Sequence, residues 1–279
     1  MLIDKIVRRA LEEDLGRGDI TSEAIVPPDK ATEGFFLSKS QGVLAGMPYV
    51  QAAFRLLDGD IEIKPLVRDG GAVAKGTVIA RVYGNARNIL AAERVALNFM
   101  QRLSGIATAT AAAVQAVQSY GTKITDTRKT TPGLRIAEKY AVRVGGGSNH
   151  RLGLDDAILI KDNHISMAGG IKRAVHLAKQ NAGHLVKIEV EAETMEQVRE
   201  AVESGADVIM LDNMALEDMR EAVNLVGGKV TIEASGGITP DMVASVAATG
   251  VDVISLGWLT HSAKPLDISL ELGSKNRGN

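Results

Sequence analysis

The chain contains no cysteine, which excludes disulfides, thiolate metal sites and cysteine nucleophiles together. Aromatic residues make up only 3% of its 279 residues, and the formal net charge is -2. Proteins that grip single-stranded nucleic acid combine a basic groove with aromatic stacking platforms; this chain has neither, so no nucleic-acid partner is expected. No apolar run approaches the ~18 residues a membrane-spanning helix needs, and no membrane association is expected. The amino terminus, MLIDKIVRRALEEDLGRGD, carries a charge every few positions and lacks the apolar core of a secretory signal. The expectation is a cytoplasmic protein. Hydrophobic residues at 45% and charged residues at 24% are ordinary for a globular fold, and the length suits one large domain or two ordinary ones.

Leu2, Ile3, Ile6, Val7, Ala10, Leu11 and Leu15 recur at three-and-four spacing, which predicts an amphipathic helix stopped by Gly16 and Gly18. Extended patterning follows over 31–46, a short helix over Met47 to Leu57, and strand and hairpin signals with turns at Asp69-Gly70-Gly71 and Lys75-Gly76. A helical pattern then runs from Ala86 to Leu103, breaks near Ser104-Gly105 and resumes to about Gln118. Arg94 sits inside it, where a solvated or helix-paired charge is the ordinary reading.

From Lys123 the grammar changes. Short β-rich runs, each ending in polar residues, alternate with helical stretches: KITDT at 123–127, AILI before Lys161, and runs starting at 185, 207, 229 and 251. The last four are evenly spaced, a period that fits tight β/α units with parallel strands. With two further extended segments, one placed near Val142 to Val144, this predicts a six- or seven-stranded α/β barrel or partial barrel, whose carboxyl-terminal strand ends carry the site. The tail PLDISLEL alternates apolar and polar residues; such a lone strand needs a sheet to join, and the amino-terminal unit offers one.

One stretch, Ile124 to Ile165, gathers Arg128, Lys129, Arg135, Lys139, Arg143, Arg151 and Lys161 with His150 and His164. In a chain of net negative charge this is a local cationic pocket, suited to a small, highly anionic ligand. Arg128-Lys129, Arg151 and Lys161 fall at strand ends, where arginine offers forked donors and lysine a point charge. Arg135, Lys139 and Arg143 are assigned to solvent and salt bridges. Glu191 and Asp212 end neighbouring strands; two such carboxylates either share a Mg²⁺ brought by substrate or pair with nearby cations. Ser235-Gly236-Gly237 and Leu256-Gly257 close the last two strands, with Thr239-Pro240 patterned as a helix start. They read as a backbone phosphate cradle or as plain tight turns. Gly145-Gly146-Gly147 is either a lid or a turn.

Several blocks carry a resemblance over nearly the full length: EEDLGRGDIT at 12–21, AERVALNFMQRLSGIAT at 92–108, TDTRKTTPGLRIAEKYAVRVGGGSNHRLGLDDAILIKDNHI at 125–165, IEVE at 188–191, LDNM at 211–214, IEASGGI at 232–238 and ISLGWLTHS at 254–262. At these residues the chain resembles the quinolinate phosphoribosyltransferase family, type II phosphoribosyltransferases of NAD biosynthesis. The resemblance implies an amino-terminal α/β sandwich (1–104, joined by a carboxyl-terminal strand at 265–279) and an incomplete α/β barrel (105–264). It implies a homodimer, possibly part of a higher oligomer, with sites shared between subunits.

It also implies transfer of phosphoribose from phosphoribosyl pyrophosphate to quinolinate with decarboxylation. By the same resemblance Thr127, Arg128, Lys129, His150, Arg151 and Lys161 bind quinolinate and neighbouring phosphates, and Arg94 reaches in from the other subunit. Glu191 and Asp212 hold the ribose hydroxyls and Mg²⁺, and Lys129, Lys161, Glu191 and Asp212 form the catalytic set. Ser235, Gly236, Gly237, Leu256, Gly257 and Trp258 surround the 5′-phosphate. Trp258 departs from the small residue the pattern leads one to expect. Alternatives are a relative using another acid such as nicotinate, or one tied to molybdenum transport. A Schiff-base aldolase with Lys161 as nucleophile and a non-enzymatic phosphate sensor rank lower, since neither explains carboxylate-binding cations and metal-competent acids together.

Overall fold

The computed structural model describes residues 2–273; Met1 and 274–279, the end of the segment expected at 265–279, lie outside the described residues. The chain opens with α1 (Leu2–Leu15), α2 (Ile20–Ile25), β1 (Ala31–Ser38), β2 (Gly42–Val43), α3 (Met47–Leu57), β3 (Glu62–Pro65), β4 (Ala72–Val73), β5 (Val78–Asn85) and α4 (Ala86–Ala116). It continues through β6 (Lys123–Thr125), α5 (Arg135–Val144), β7 (Ile158–Ile160), α6 (Asp162–Ala168), α7 (Ile171–Asn181), β8 (Ile188–Ala192) and α8 (Met195–Ser204). The remaining elements are β9 (Val208–Asp212), α9 (Leu216–Val226), β10 (Thr231–Ser235), α10 (Val243–Ala247), β11 (Val253–Ser255), α11 (Trp258–His261) and β12 (Ile268–Leu272).

Local chemistry sets many of the boundaries. α1 buries Val7 and Leu11 and ends at Gly16 in left-handed backbone (φ 50°). The Asp19 carboxylate caps α2 by accepting the Thr21 and Ser22 N–H groups. α8 begins with a Thr194/Gln197 capping box and ends at left-handed Gly205.

Two compact units result. Met1–Ala109, Thr131–Gly145 and Ser262–Asn279 form one; Thr110–Thr130 and Gly146–His261 form the other. The sequence reading divides the chain in order, with 105–264 as one domain, whereas the units interleave and 131–145 groups with the amino-terminal unit.

The first unit is built on an antiparallel sheet in the order β12-β1-β5-β3. Phe36 on β1 pairs with Leu270 on one side and Ala80 on the other. Its ring meets Phe54 of α3 edge to face at 6.1 Å, so α3 covers the sheet. The alternating tail therefore does return to the first sheet, as its pattern implies.

The second unit holds a parallel sheet in the order β6-β11-β10-β9-β8-β7. Beyond β6, Ser148 makes an isolated parallel bridge to Thr125. No pairing joins that segment to β7 among the described residues, so the barrel is incomplete, with six strands. Ile188, Val190, Ile209, Leu211, Ile232, Ala234 and Ile254 are buried, and the residues alternating with them face the barrel interior: Glu189, Glu191, Asp212, Glu233 and Ser235, with Val208 and Met210 on β9 as the apolar exceptions.

Three expectations are corrected. Val142–Val144 is the end of helix α5, whose buried residues 137, 138, 139, 141 and 142 follow helical spacing; the extended piece lies at Ser148 instead. Lys139 is only 2% exposed and so is no solvated charge. α4 does not break at Ser104-Gly105 but runs unbroken for 31 residues. The Ser104 hydroxyl accepts the Ala45 N–H at 2.9 Å and donates to its carbonyl at 3.1 Å. Gly105 lets the helix approach the 264–265 backbone: a Cβ there would collide with the Lys264 carbonyl oxygen and lie 3.0 Å from Pro265 Cα.

Gly105→Ala should therefore destabilise the protein by about 1–3 kcal/mol through overpacking, although alanine favours a helix interior by about 1 kcal/mol over glycine. A melting temperature equal to or above wild type would show that the close approach is dispensable.

Candidate active site

Period-two side-chain alternation places every second residue of β8, β9 and β10 inside the barrel. On β8 these are Glu189 and Glu191, on β10 Glu233 and Ser235, and on β9 Asp212 beside Ser235 in register. The upper layer, at the carboxyl-terminal strand ends, collects most of the residues singled out from sequence.

Lys161, the residue after β7, makes an ion pair with the Glu191 carboxylate. Asp212 takes the Asn213 amide at 3.0 Å, and its Oδ1 would lie 2.7 Å from a Cβ at Gly236. Gly236 (φ 83°) and Gly237 (φ 59°) turn in left-handed backbone that a side chain would strain. Asn213 shares that strain at φ 55°, and its N–H donates to the Ser235 carbonyl at 3.0 Å, which ties the β9 end to the glycine turn.

The turn after β11 is joined to its neighbours on both sides. The Trp258 indole N–H donates to the Ile238 carbonyl at 3.0 Å, so this tryptophan links the two glycine turns. Buried Thr260 donates its hydroxyl to the Lys129 carbonyl at 2.8 Å. The Lys129 side chain crosses Gly257, its Cδ 3.2 Å from where a Cβ would sit. The Lys129 N–H is bonded to Thr127 Oγ1 at 3.0 Å. Thr239-Pro240 does not open a helix directly; it forms a turn, and α10 begins at Val243.

Arg151 stands close enough to Arg128 for their charges to interact. Burial first, and the Arg128 charge second, lower the Arg151 pKa, with Glu189 and Asp156 opposing. One Arg151 terminal nitrogen donates to the Ala157 carbonyl at 2.9 Å, while its buried Nε has no hydrogen-bond partner. Arg94, on α4, belongs to the first unit and is exposed there.

Below this layer lies the side chain of His150, expected at the substrate, with two glutamates the sequence reading missed. His150 Nε2 is 3.2 Å from Glu189 and 3.5 Å from Glu233, both carboxylates buried. The three ligand atoms lie within 4.8 Å of one another, so the imidazole Nε2 faces both carboxylates at once. Nδ1 accepts the Arg151 N–H at 2.8 Å, which requires an unprotonated Nδ1. Burial also disfavours the charged ring, but the two carboxylates overcome it and push the pKa from 6.5 up to about 10. Charge-assisted bonds are roughly twice as strong as neutral ones, so the carboxylates prevail over the Nδ1 contact. The alternation that places Glu191 and Ser235 inside also places residues two positions earlier inside, and that signal was available in the sequence.

A folded pKa above the unfolded value stabilises the fold below the unfolded pKa, and that contribution fades as pH rises through the folded pKa. The unfolding free-energy difference between wild type and His150→Gln should be full below pH 6.5 and vanish as pH rises through about 10. Denaturant titration across that window reads it; a flat difference would mean the folded ring is uncharged.

The family model for the quinolinate phosphoribosyl transferase N-terminal domain matches residues 19–104, and that for the C-terminal domain matches 106–271. A probable nicotinate-nucleotide pyrophosphorylase (carboxylating) of Bacillus subtilis is 48% identical over 274 residues, covering 98% of this chain and 94% of its own. Its Synechocystis counterpart is 44% identical, covering 98% and 93%. The structure of the nicotinate-nucleotide pyrophosphorylase from Francisella tularensis superposes with a TM-score of 0.94 at 43% identity, covering 98% of this chain and 96% of that one. On two domain models that together span the fold just described, the chain belongs to the quinolinate phosphoribosyltransferase family.

Proposed function

We propose that this chain transfers the phosphoribosyl group of phosphoribosyl pyrophosphate to quinolinate, with loss of CO₂, giving nicotinate mononucleotide and pyrophosphate. The observation that carries this reading is the Arg128–Arg151 pair: two guanidiniums brought close, one with a buried Nε lacking an acceptor. A ligand with two carboxylates relieves both the repulsion and the unpaired donor.

Each residue then has a role that its surroundings support. Arg128 and Arg151 take the diacid, helped by Thr127 and Lys129. The left-handed turn at Ser235-Gly236-Gly237 and the Leu256-Gly257-Trp258 turn hold the 5′-phosphate through backbone N–H groups. Lys129, lying across Gly257, brings a positive charge from the diacid side to the phosphate side. Lys161 and Glu191, already paired, exchange partners when substrate arrives: the lysine turns to the anion and the carboxylate to the ribose hydroxyls. Catalysis is positioning of the pyridine nitrogen against ribose C1 in preorganised cationic surroundings. The carboxylate next to the new pyridinium then leaves as CO₂, with the ring nitrogen as electron sink.

Glu191 and Asp212 also suit magnesium. Both present hard oxygen donors at neighbouring strand ends, and this ion binds through one or two carboxylates plus substrate phosphates. Bound there, it would offset charge on the departing pyrophosphate.

A homodimer is part of the same reading. In the first unit a groove of about 760 Å³ runs between α1, α4 and the 132–138 segment, and Asn98 lines it. Arg94 is exposed one turn before Asn98 on α4, which supports a role toward a ligand held by a second copy. No helix among the described residues is long and apolar enough to cross a membrane, which is compatible with a cytoplasmic setting.

The reading is tested by supplying quinolinate, phosphoribosyl pyrophosphate and magnesium: quinolinate consumption with CO₂ release is expected, and the absence of both would reject it. Arg151→Ala should lower kcat/KM for quinolinate by about a hundredfold, the loss of a charged hydrogen-bond pair, while leaving stability within about 1 kcal/mol because a repulsion is removed along with the charge. A mutant that unfolds instead would make Arg151 structural. Mixing Arg94→Ala subunits with Lys161→Ala subunits should restore part of the activity that each lacks alone; no recovery would argue against shared sites.

A further inference from the structure

Arg128 and Arg151 stand on different segments. Arg128 follows β6 by three residues; Arg151 follows a stretch whose pairing with β6 is the single bridge Thr125–Ser148. The two like charges act on each other and repel. Something has to hold the second segment against the first.

Asp126 meets that need. It sits between β6 and the Thr127-Arg128-Lys129 turn and is fully buried. Its Oδ1 accepts the His150 backbone N–H at 3.0 Å, and its Oδ2 accepts the Asn149 side-chain amide at 2.5 Å. Arg151 is the next residue. The carboxylate thus closes a short bridge, with one guanidinium two residues beyond it and the other one residue beyond the backbone it grips.

We propose that Asp126 is a positioning residue that holds Arg128 and Arg151 side by side as a receptor for two neighbouring carboxylates. The inference rests on the diacid reading of the site and adds to it the device that builds the receptor. Only an ionised carboxylate accepts at both oxygens at once. An asparagine of the same shape keeps one acceptor and turns a donor toward one of the two partners, so the 149–151 segment gains freedom to move away from Arg128. Lys161 and the glycine turns hang on other strands and keep their places. The effect is confined to recognition of the second carboxylate.

The test compares inhibition by benzene-1,2-dicarboxylate and by benzoate in the wild type and in Asp126→Asn, with the KM for phosphoribosyl pyrophosphate measured alongside. The wild type should favour the diacid. Asp126→Asn should reduce that preference by about tenfold, the worth of one buried charge-assisted bond, with the KM for phosphoribosyl pyrophosphate unchanged. In a double-mutant cycle with Arg151→Lys the two losses should be less than additive. A preference that stays at the wild-type value overturns the proposal, whatever the melting temperature does. If Asp126→Asn does not fold, Asn149→Ala removes one of the two bonds and should give a smaller loss in the same direction; no change there overturns it equally. A wild type that does not distinguish the two acids brings down the diacid reading itself, and this proposal with it.

Discussion

The second unit is shaped by charge held inside a barrel. A closed ring of apolar side chains fills most small barrels, but here β8 and β10 turn glutamates inward, and a barrel interior cannot hold bare carboxylates without cations to face them. Glu189 and Glu233 meet His150, and Glu191 meets Lys161. The arginines add a surplus of positive charge at the strand ends, and the proposed function rests on that surplus as a receptor for anions. Packing of the outward-facing valines and isoleucines against α7, α8 and α10 buries apolar surface that offsets the cost of this polar interior.

The site is also joined across elements by short bonds that carry no substrate chemistry. Trp258 links the two glycine turns, Thr260 ties the Lys129 carbonyl to the turn after β11, and Asn213 ties β9 to the turn after β10. Each is a single hydrogen bond worth about 1 kcal/mol. Their importance lies in geometry: four loops, after β6, β9, β10 and β11, are held at fixed spacing, as preorganised binding requires.

Much of this was legible in the sequence because it rested on strong periodicities. The even β/α spacing announced parallel strands, the alternation of Leu266, Ile268, Leu270 and Leu272 announced a strand in need of a sheet, and Lys161 stood out because a charge follows an apolar run. The misses have physical causes. Glycine at 105 reads locally as a helix breaker, but its role is to admit the 264–265 backbone, a contact between residues far apart in sequence. Lys139 was assigned to solvent and salt bridges because its helix is amphipathic with many charges, and nothing local says which charge faces in. Asp126 and Glu233 are unremarkable as letters; they matter because three distant segments converge on them. Arg94 looks like any helix-surface charge, and only the family resemblance singles it out.

The antiparallel sheet of the first unit has its own history during synthesis. β1 finds one neighbour, β5, some forty residues later, but the other, β12, is translated only after every strand of the parallel sheet. Until then one edge of β1 presents unpaired backbone groups, the kind of surface that invites pairing with other chains. A pairing as distant as Phe36 with Leu270 also raises the contact order and slows folding. Ribosome-bound chains of this protein thus carry an open β edge through most of their elongation, a surface that only the last strand covers.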